Sequence, residues 1–575
     1  MGSQDWKVKP ASLTQIWRDG ELRPLPAQCT VAPTNDEGVM TKTIRAADAV
    51  ARRLYDAGCR MAFGMPGGEI LTMVDALEAA GITFVLCKHE NAAAFMAEGA
   101  WHRTGAPGLL VATVGPGVLN GVNAVANALQ DRVPLIVLAG AVDADEAQTY
   151  THQVLDQRAV FAPITKATFL MDAGAAHVIA DKAVGIATEG QPGPVFIDIP
   201  IRVAEAQVPA RAPTPRATAA EVVPDTAVLD QIAGWLSQAA RPIIIAGVDA
   251  LNENADVAGL ARRFGVPVIS TYKAKGMLPE DDPLSLGGAG LSPLADKTLL
   301  PLVQNADLVL CLGYDPIEMR TGWRDVWDST AQHVVEVSAA PNHHYMHQST
   351  VNIVGSVRAT VAALMLAATP RATWAGGEVA AAQAALATAF PTDEDWGPAA
   401  IVATCRTALP RDALATADSG AHRILLSQMW QCYAPRGLMQ SSALCTMGCA
   451  VPLAMGVALA SPDRTVVSFS GDAGFLMVAG ELATARELGL RCIFVVFVDA
   501  SLALIELKQR QRQLGNHGVD FGTHDFAAIG RAFGGVGVDV RSRAELQSAL
   551  QDAQSADTFT VIAAHIEKGA YDGRI

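Results

Sequence analysis

From residue 41 onward, short apolar runs alternate with amphipathic stretches of helical period. This is the pattern of a parallel α/β sheet whose strands are buried on both faces. Strands are predicted at 82–87, 109–113 and 134–139, with a helix at 91–102 and another ending near Leu129. Residues 203–224, rich in proline and alanine, have linker composition. Strands resume at 242–247, 266–271, 306–313 and 334–337, and a second Ala/Gly/Pro-biased stretch, 367–377, precedes a third unit. The expected fold class is α/β, with three doubly wound parallel-sheet domains at 41–205, 222–368 and 388–568. Residues 1–40 carry several prolines and acids but no hydrophobic segment, and are expected to form a loose N-terminal extension.

Composition agrees with this division. A chain of 575 residues exceeds a single core, and domain-size scaling suggests about three or four domains. Half of the residues are apolar and 18% are charged, which predicts folded rather than disordered protein. The net charge of −15 argues against nucleic acid or an anionic membrane as partner, and no apolar run reaches membrane-spanning length. The nine cysteines are odd in number and scattered, as expected of free thiols in a reducing, cytoplasmic compartment. Cys445 and Cys449, four apart on a predicted helix, have no second Cys/His pair nearby and read as packing rather than zinc ligands.

The chemistry concentrates at strand ends. Val467-Ser468-Phe469-Ser470-Gly471-Asp472-Ala473-Gly474 reads as a strand entering a glycine-rich turn, and 494–498 as an apolar strand that ends on Asp499. With a helix predicted at 475–488 between them, Asp472 and Asp499, 27 positions apart, close neighbouring parallel strands. Two carboxylates at one edge repel unless a cation lies between them, and the amides of the turn suit an incoming phosphate. The plainer readings are an ordinary Gly-Asp strand end and, for Asp499, a helix N-cap. Glu90 ends a strand and opens a helix, so it is either a functional acid or a first-turn acid favoured by the helix dipole. Gly115-Pro116-Gly117 is a binding loop or a structural turn. Met447 is a ligand contact or core filler.

Taken in order, Phe63-Gly64-Met65-Pro66-Gly67-Gly68, His89-Glu90, Gly115-Pro116-Gly117, Asp131-Arg132-Val133-Pro134, Thr446-Met447-Gly448 and Gly471-Asp472-Ala473-Gly474 resemble one family. It is the thiamine diphosphate-dependent enzymes, and among them the acetolactate synthase branch, over about residues 41 to 567. The resemblance implies a pyrimidine-binding first domain, a central domain and a diphosphate-binding third domain. Thiamine diphosphate and Mg2+ would lie between domains of different subunits in a homodimer or homotetramer. Glu90 would be the catalytic acid at the aminopyrimidine ring. Met447 would lie beneath the cofactor and His422, in Gly420-Ala421-His422, would contact the diphosphate, with Gly448, Gly471, Ala473, Gly474 and Pro66 completing the surroundings. Asp472, Asp499 and the backbone carbonyl of Ser501 would ligate the metal. Here the chain departs from the commonest pattern, since Val498-Asp499 replaces two adjacent asparagines. The catabolic acetolactate synthases look similar there, and aspartate is still an oxygen ligand.

The same resemblance bears on the reaction. Thr151-His152-Gln153-Val154-Leu155-Asp156, followed by Phe161-Ala162-Pro163-Ile164-Thr165-Lys166, is similar to the segment bordering the substrate channel of the catabolic synthases; otherwise it is a polar loop capping the next helix. Gly67, Gln153, Leu504, Ile505 and Lys508 are implied to line the substrate pocket. Lys508 stands where the biosynthetic synthases have a tryptophan. The central domain resembles one that binds FAD, yet Val337-Ser338 replaces an acidic residue and Gly313-Tyr314-Asp315-Pro316 lacks the usual arginine, so FAD is expected weakly or not at all. The implied activity is decarboxylation of pyruvate or a similar 2-oxo acid, with carboligation to a second oxo compound. The alternatives are another thiamine diphosphate enzyme (a 2-oxo acid decarboxylase, an aldehyde lyase or a sulfoacetaldehyde acetyltransferase) or a non-catalytic cofactor-binding paralogue.

Overall fold

Three six-stranded, wholly parallel sheets follow one another along the chain in the computed structural model, which describes residues 42–212, 220–341 and 344–575. The expected 1–40 extension lies outside the described residues. The first sheet runs, in spatial order, Thr83–Leu86, Met61–Met65, Gly108–Ala112, Leu135–Ala141, Val195–Pro200 and Ala167–Leu170. The third runs Leu438–Gln440, Leu414–Ala417, Val466–Gly471, Ile493–Val498, Thr560–His565 and Val536–Val540. Counting strands in chain order within each sheet, both read 2-1-3-4-6-5, whereas the central sheet, from Ser285–Ala289 to Val351–Val354, reads 3-2-1-4-5-6. These are doubly wound orders, in which ligand sites gather beyond the carboxyl ends of the strands. Runs such as Ile493–Val498 and Leu135–Ala141 are buried along their whole length, which is why they lack a polar alternation.

Three local expectations need correction. The helix expected at 475–488 is two helices, Asp472–Val478 and Glu481–Glu487. Gly480 stands at the break, and the Glu481 carboxylate is drawn to the Lys88 amide of the first domain, 2.9 Å away. Cys445 and Cys449 do not share a helix. Cys445 has φ +60° and Gly448 φ +78°, left-handed values that a right-handed helix excludes, so the helix begins only at Ala450. The linker-like 203–224 stretch carries a strand, Gln207–Pro209, that pairs antiparallel with Thr43–Arg45; 213–219 lie outside the described residues.

The two outer sheets share one hydrophobic core. Phe63, Phe95 and Leu110 of the first join Leu453, Phe475 and Phe494 of the third. At its centre the helices Glu90–Thr104 and Ala450–Ala460, each following the second strand of its sheet, touch backbone to backbone. A Cβ on Gly99 would stand 2.3 Å from the Leu453 carbonyl oxygen, and one on Gly456 2.0 Å from that of Met96. A buried polar joint ties in the central domain: Lys273 Nζ lies 3.1 Å from Asp131 Oδ2 and 3.3 Å from the Gln440 carbonyl. Asp131 also accepts from the amides of Ser442 and Ala443, at 3.2 and 2.9 Å. Beside this joint, burial pushes the Glu98 carboxyl up to about 8, and Asn127 Nδ2 donates to it at 3.1 Å. Among the described residues no helix is long and apolar enough to cross a membrane, and the eight described cysteines are all free.

Candidate active site

Strands Val466–Gly471 and Ile493–Val498 are adjacent and parallel, and both deliver a carboxylate to the same edge. Asp472 opens its helix. Its Oδ2 accepts from the amides of Asp499 (3.2 Å) and Ala500 (2.7 Å), and its Oδ1 from Ala473 (2.8 Å). Burial raises the Asp472 carboxyl. Burial, and then repulsion from Asp472, pushes Asp499 up to about 7. Such a pair favours any cation that can sit between its members. Asp499 is not a helix N-cap, since the next helix starts at Ala503. Ser501 lies beside it, its amide donating to Asp499 Oδ1 at 3.2 Å and its hydroxyl to Asp520 at 2.7 Å. The buried Tyr571 of the C-terminal turn feels both carboxylates, which with burial raise its phenol. Among the described residues no three His, Cys, Asp or Glu side chains gather as a metal cluster. A cation here would draw on two carboxylates plus backbone and ligand oxygens.

Beside this pair, the His422 ring is 4% exposed and stacks on Phe497 at 5.4 Å. Burial pushes it down to about 3, so it is neutral, and its Nε2 has no hydrogen-bond partner; neither has the buried Ser419 hydroxyl. Buried polar atoms without partners are costly and mark places where a ligand is wanted. Gly420 and Gly471 lie against the imidazole. Asp418, which the sequence reading passed over, organises the rest. Its carboxylate accepts from the amides of Gly448 (3.0 Å) and Cys449 (3.1 Å), and a Cβ on Gly474 would strike it at 1.9 Å. Burial raises Asp418 to about 6. Its position after strand Leu414–Ala417, before Ser419-Gly420, is the signal that would have found it. Met447, half-buried, sits on the loop so formed.

In the first domain Glu90 is the first residue of its helix, a first-turn acid, and is 4% exposed. Asn120 Nδ2 donates to Glu90 Oε2 at 2.9 Å, and Gly117 faces Oε1 so closely that a Cβ there would come within 3.1 Å. Gly115 precedes the helix Pro116–Asn120 and lies against Gln153. Gly67 packs on Thr113, whose hydroxyl donates to Glu69 at 2.7 Å, and Pro66 is half-buried beside it in the chain. Leu504, Ile505 and Lys508 ride on the helix Ala503–Gln511; Leu504 is half-buried, Lys508 is exposed and Ile505 is 44% exposed. Arg510 anchors that helix through a two-pronged ion pair with Asp572, at 2.8 and 2.6 Å.

Thr446 Oγ1 reaches Asn123 of the first domain at 2.9 Å, and Ser441 Oγ reaches Asn127 at 2.6 Å. Among the described residues no hydrogen bond or ion pair joins Glu90 to Met447, His422, Asp472 or Asp499. At the carboxyl edge of the central sheet lies a cavity of about 700 Å³ lined by Tyr314, Asp315, Glu336, Ser338, Arg132 and Arg324. Across it Arg132 pairs with Asp315 at 2.8 Å. Asp249 occupies the start of the helix Val248–Asn252 and accepts from the Ala339 amide at 3.0 Å.

Comparison with known proteins covers the whole arrangement. Family profiles described as "Thiamine pyrophosphate enzyme" match in three parts: the N-terminal TPP binding domain at residues 44–160, the central domain at 229–364 and the C-terminal TPP binding domain at 418–564. The chain is 31% identical over 534 residues to the acetolactate synthase of Bacillus subtilis, spanning 90% of this chain and 92% of the relative. It is 32% identical over 530 residues to the acetolactate synthase isozyme 1 large subunit of Escherichia coli, spanning 89% and 92%. It is also 30% identical over 541 residues to a probable 2-ketoarginine decarboxylase of Pseudomonas aeruginosa, spanning 90% and 92%.

Proposed function

Because the chain belongs to the thiamine pyrophosphate enzymes, in their acetolactate synthase-like branch, we propose that it decarboxylates pyruvate or a close 2-oxo acid and ligates the acyl unit to a second carbonyl compound. The observation that carries the reading is the pair Asp472–Asp499, two mutually repelling carboxylates at neighbouring strand ends, with the partnerless His422 Nε2 beside them. These residues fit a divalent cation and a diphosphate. Asp472, Asp499 and the Ser501 carbonyl would hold Mg2+. His422, neutral in the chain alone, would take up a proton beside the diphosphate and donate from Nε2 to one of its oxygens, and the turn Gly471-Asp472-Ala473-Gly474 would offer its amides. Met447 would support the rings from the loop that Asp418 shapes. Bound thiamine diphosphate supplies the electron sink for the carbanion left when carbon dioxide departs.

Glu90 is assigned the proton at the aminopyrimidine ring. Asn120 occupies its Oε2 and leaves Oε1 to face the ring. Since among the described residues no hydrogen bond or ion pair joins Glu90 to the third-domain group, the reading places each complete site between two copies, in a homodimer or homotetramer. The helix Ala503–Gln511 agrees with this, because it leaves Ile505 and Lys508 exposed in its own chain, free to face ligand or a second subunit. Leu504 and Ile505 suit a small acyl group, and Lys508 an anionic acceptor. FAD has no part in the reading. The Arg132 guanidinium is neutralised by Asp315, and Asp249 puts a carboxylate at the helix start where a pyrophosphate would sit. Free thiols throughout the described residues suit a cytoplasmic enzyme.

Likeness to the probable 2-ketoarginine decarboxylase supports a second reading, decarboxylation without ligation. The purified protein, given Mg2+ and thiamine diphosphate, is to be offered a panel of 2-oxo acids while carbon dioxide and ligated products are both followed. Acetolactate from pyruvate alone is the expected result. Carbon dioxide from any panel member without a ligated product would move the assignment to a decarboxylase.

A further inference from the structure

We infer that Gln157 is a positioning residue of the first-domain half-site, fixing the Gly115 loop that sets Gly117 and Asn120 against Glu90. The inference rests on the reading above for what Glu90 does, while the anchoring itself stands on the geometry of this chain. Gln157 opens the short helix Gln157–Phe161 and is 2% exposed. Its Oε1 accepts from the Gly115 amide at 2.7 Å, and its Nε2 donates to the Gly140 carbonyl at 3.1 Å and to Asp198 Oδ1 at 2.7 Å. Both amide protons are thereby committed, so only the orientation with Oε1 toward Gly115 satisfies every partner. Gly140 and Asp198 belong to the paired strands Leu135–Ala141 and Val195–Pro200, so the loop is moored to the sheet itself.

The far end of the connection is the acid. Gly115 has φ +65° and immediately precedes the helix Pro116–Asn120. From that helix Asn120 donates to Glu90 Oε2, and Gly117 faces Oε1. Removing Gln157 would leave the buried Gly115 donor without an acceptor and the short helix without its mooring. Asp198 completes the mooring: its carboxylate accepts from Gln157 Nε2, and Arg158 Nε lies 3.6 Å from its other oxygen.

Hydrogen–deuterium exchange of the full chain without cofactor tests this whatever the reaction proves to be. In Gln157→Ala, amides of 113–121 are expected to exchange at least about tenfold faster, with the rest of the chain unchanged. In Asp198→Asn, which keeps an acceptor for Nε2, the loop stays protected. On any 2-oxo acid that the wild type turns over, Gln157→Ala should lower kcat by roughly 10- to 100-fold and leave the cofactor Kd within about threefold. Unaltered loop protection in Gln157→Ala overturns the inference. Turnover of no 2-oxo acid by the wild type, with the exchange results as expected, counts against the functional reading and leaves the anchor standing.

Discussion

The first and third domains repeat one strand order, 2-1-3-4-6-5, yet their functional edges are in opposite states. In the first, the polar groups are matched: Glu90 with Asn120, Gln157 with Gly115 and Asp198, Thr113 with Glu69. In the third, Asp499 is pushed up to about 7 partly by Asp472, and His422 Nε2 and the Ser419 hydroxyl have no partner. The first edge is saturated within the chain, whereas the third leaves polar atoms without partners. On the proposed function the same architecture would divide the work, one domain holding an acid in place and the other storing affinity for a cation and an anionic tail.

Variants at the two edges should therefore fail differently. Glu90→Gln should cost on the order of 1000-fold in kcat while the cofactor Kd, from tryptophan fluorescence titration, changes little. Asp472→Ala should weaken binding of cofactor with Mg2+ by on the order of 100-fold, the upper end of what losing even an outer-sphere metal partner costs. Equal effects of both variants on binding would erase the contrast.

The next effects concern the joint that keeps the two edges in register. Lys273→Ala leaves the buried Asp131 without its ion partner, and a stability loss of about 3–5 kcal/mol is expected in urea unfolding. Gly99→Ala drives a methyl into the Leu453 carbonyl and should cost about 1–3 kcal/mol in the same measurement. The smallest effect is a slope. The Glu98 carboxyl is raised by burial from its ordinary value of 4.5 to about 8. The stability it contributes when protonated is complete below about pH 4.5 and is lost as pH rises through about 8. Glu98→Gln keeps the acceptor for Asn127 and cannot ionise, so its melting temperature should fall less than that of the wild type between pH 6 and about 9.

Much of this was legible in the chain. Apolar runs separated by helical spacing foretold three parallel sheets, because strands buried on both faces carry no polar alternation. Asp472 and Asp499 could be placed on one edge because a single strand–helix–strand passage separates them. What was hidden depends on tertiary contact. The break at Gly480 follows from Glu481 reaching another domain, and the left-handed turn at Cys445 from a loop tied to Asn123, Asn127 and Asp131. Asp418 offered only its place at a strand end and Gln157 no signal at all; each matters because distant groups converge on it, the Gly448 and Cys449 amides on Asp418, and the Gly115 amide, Gly140 carbonyl and Asp198 on Gln157.

Exchange of the C2 proton of thiamine diphosphate, followed by NMR in D2O with Mg2+ and saturating protein, tests the central claim most directly. Glu90→Gln is predicted to bind the cofactor as the wild type does and to slow exchange by on the order of 1000-fold. Exchange at the wild-type rate in that variant would contradict the division of labour between the two edges.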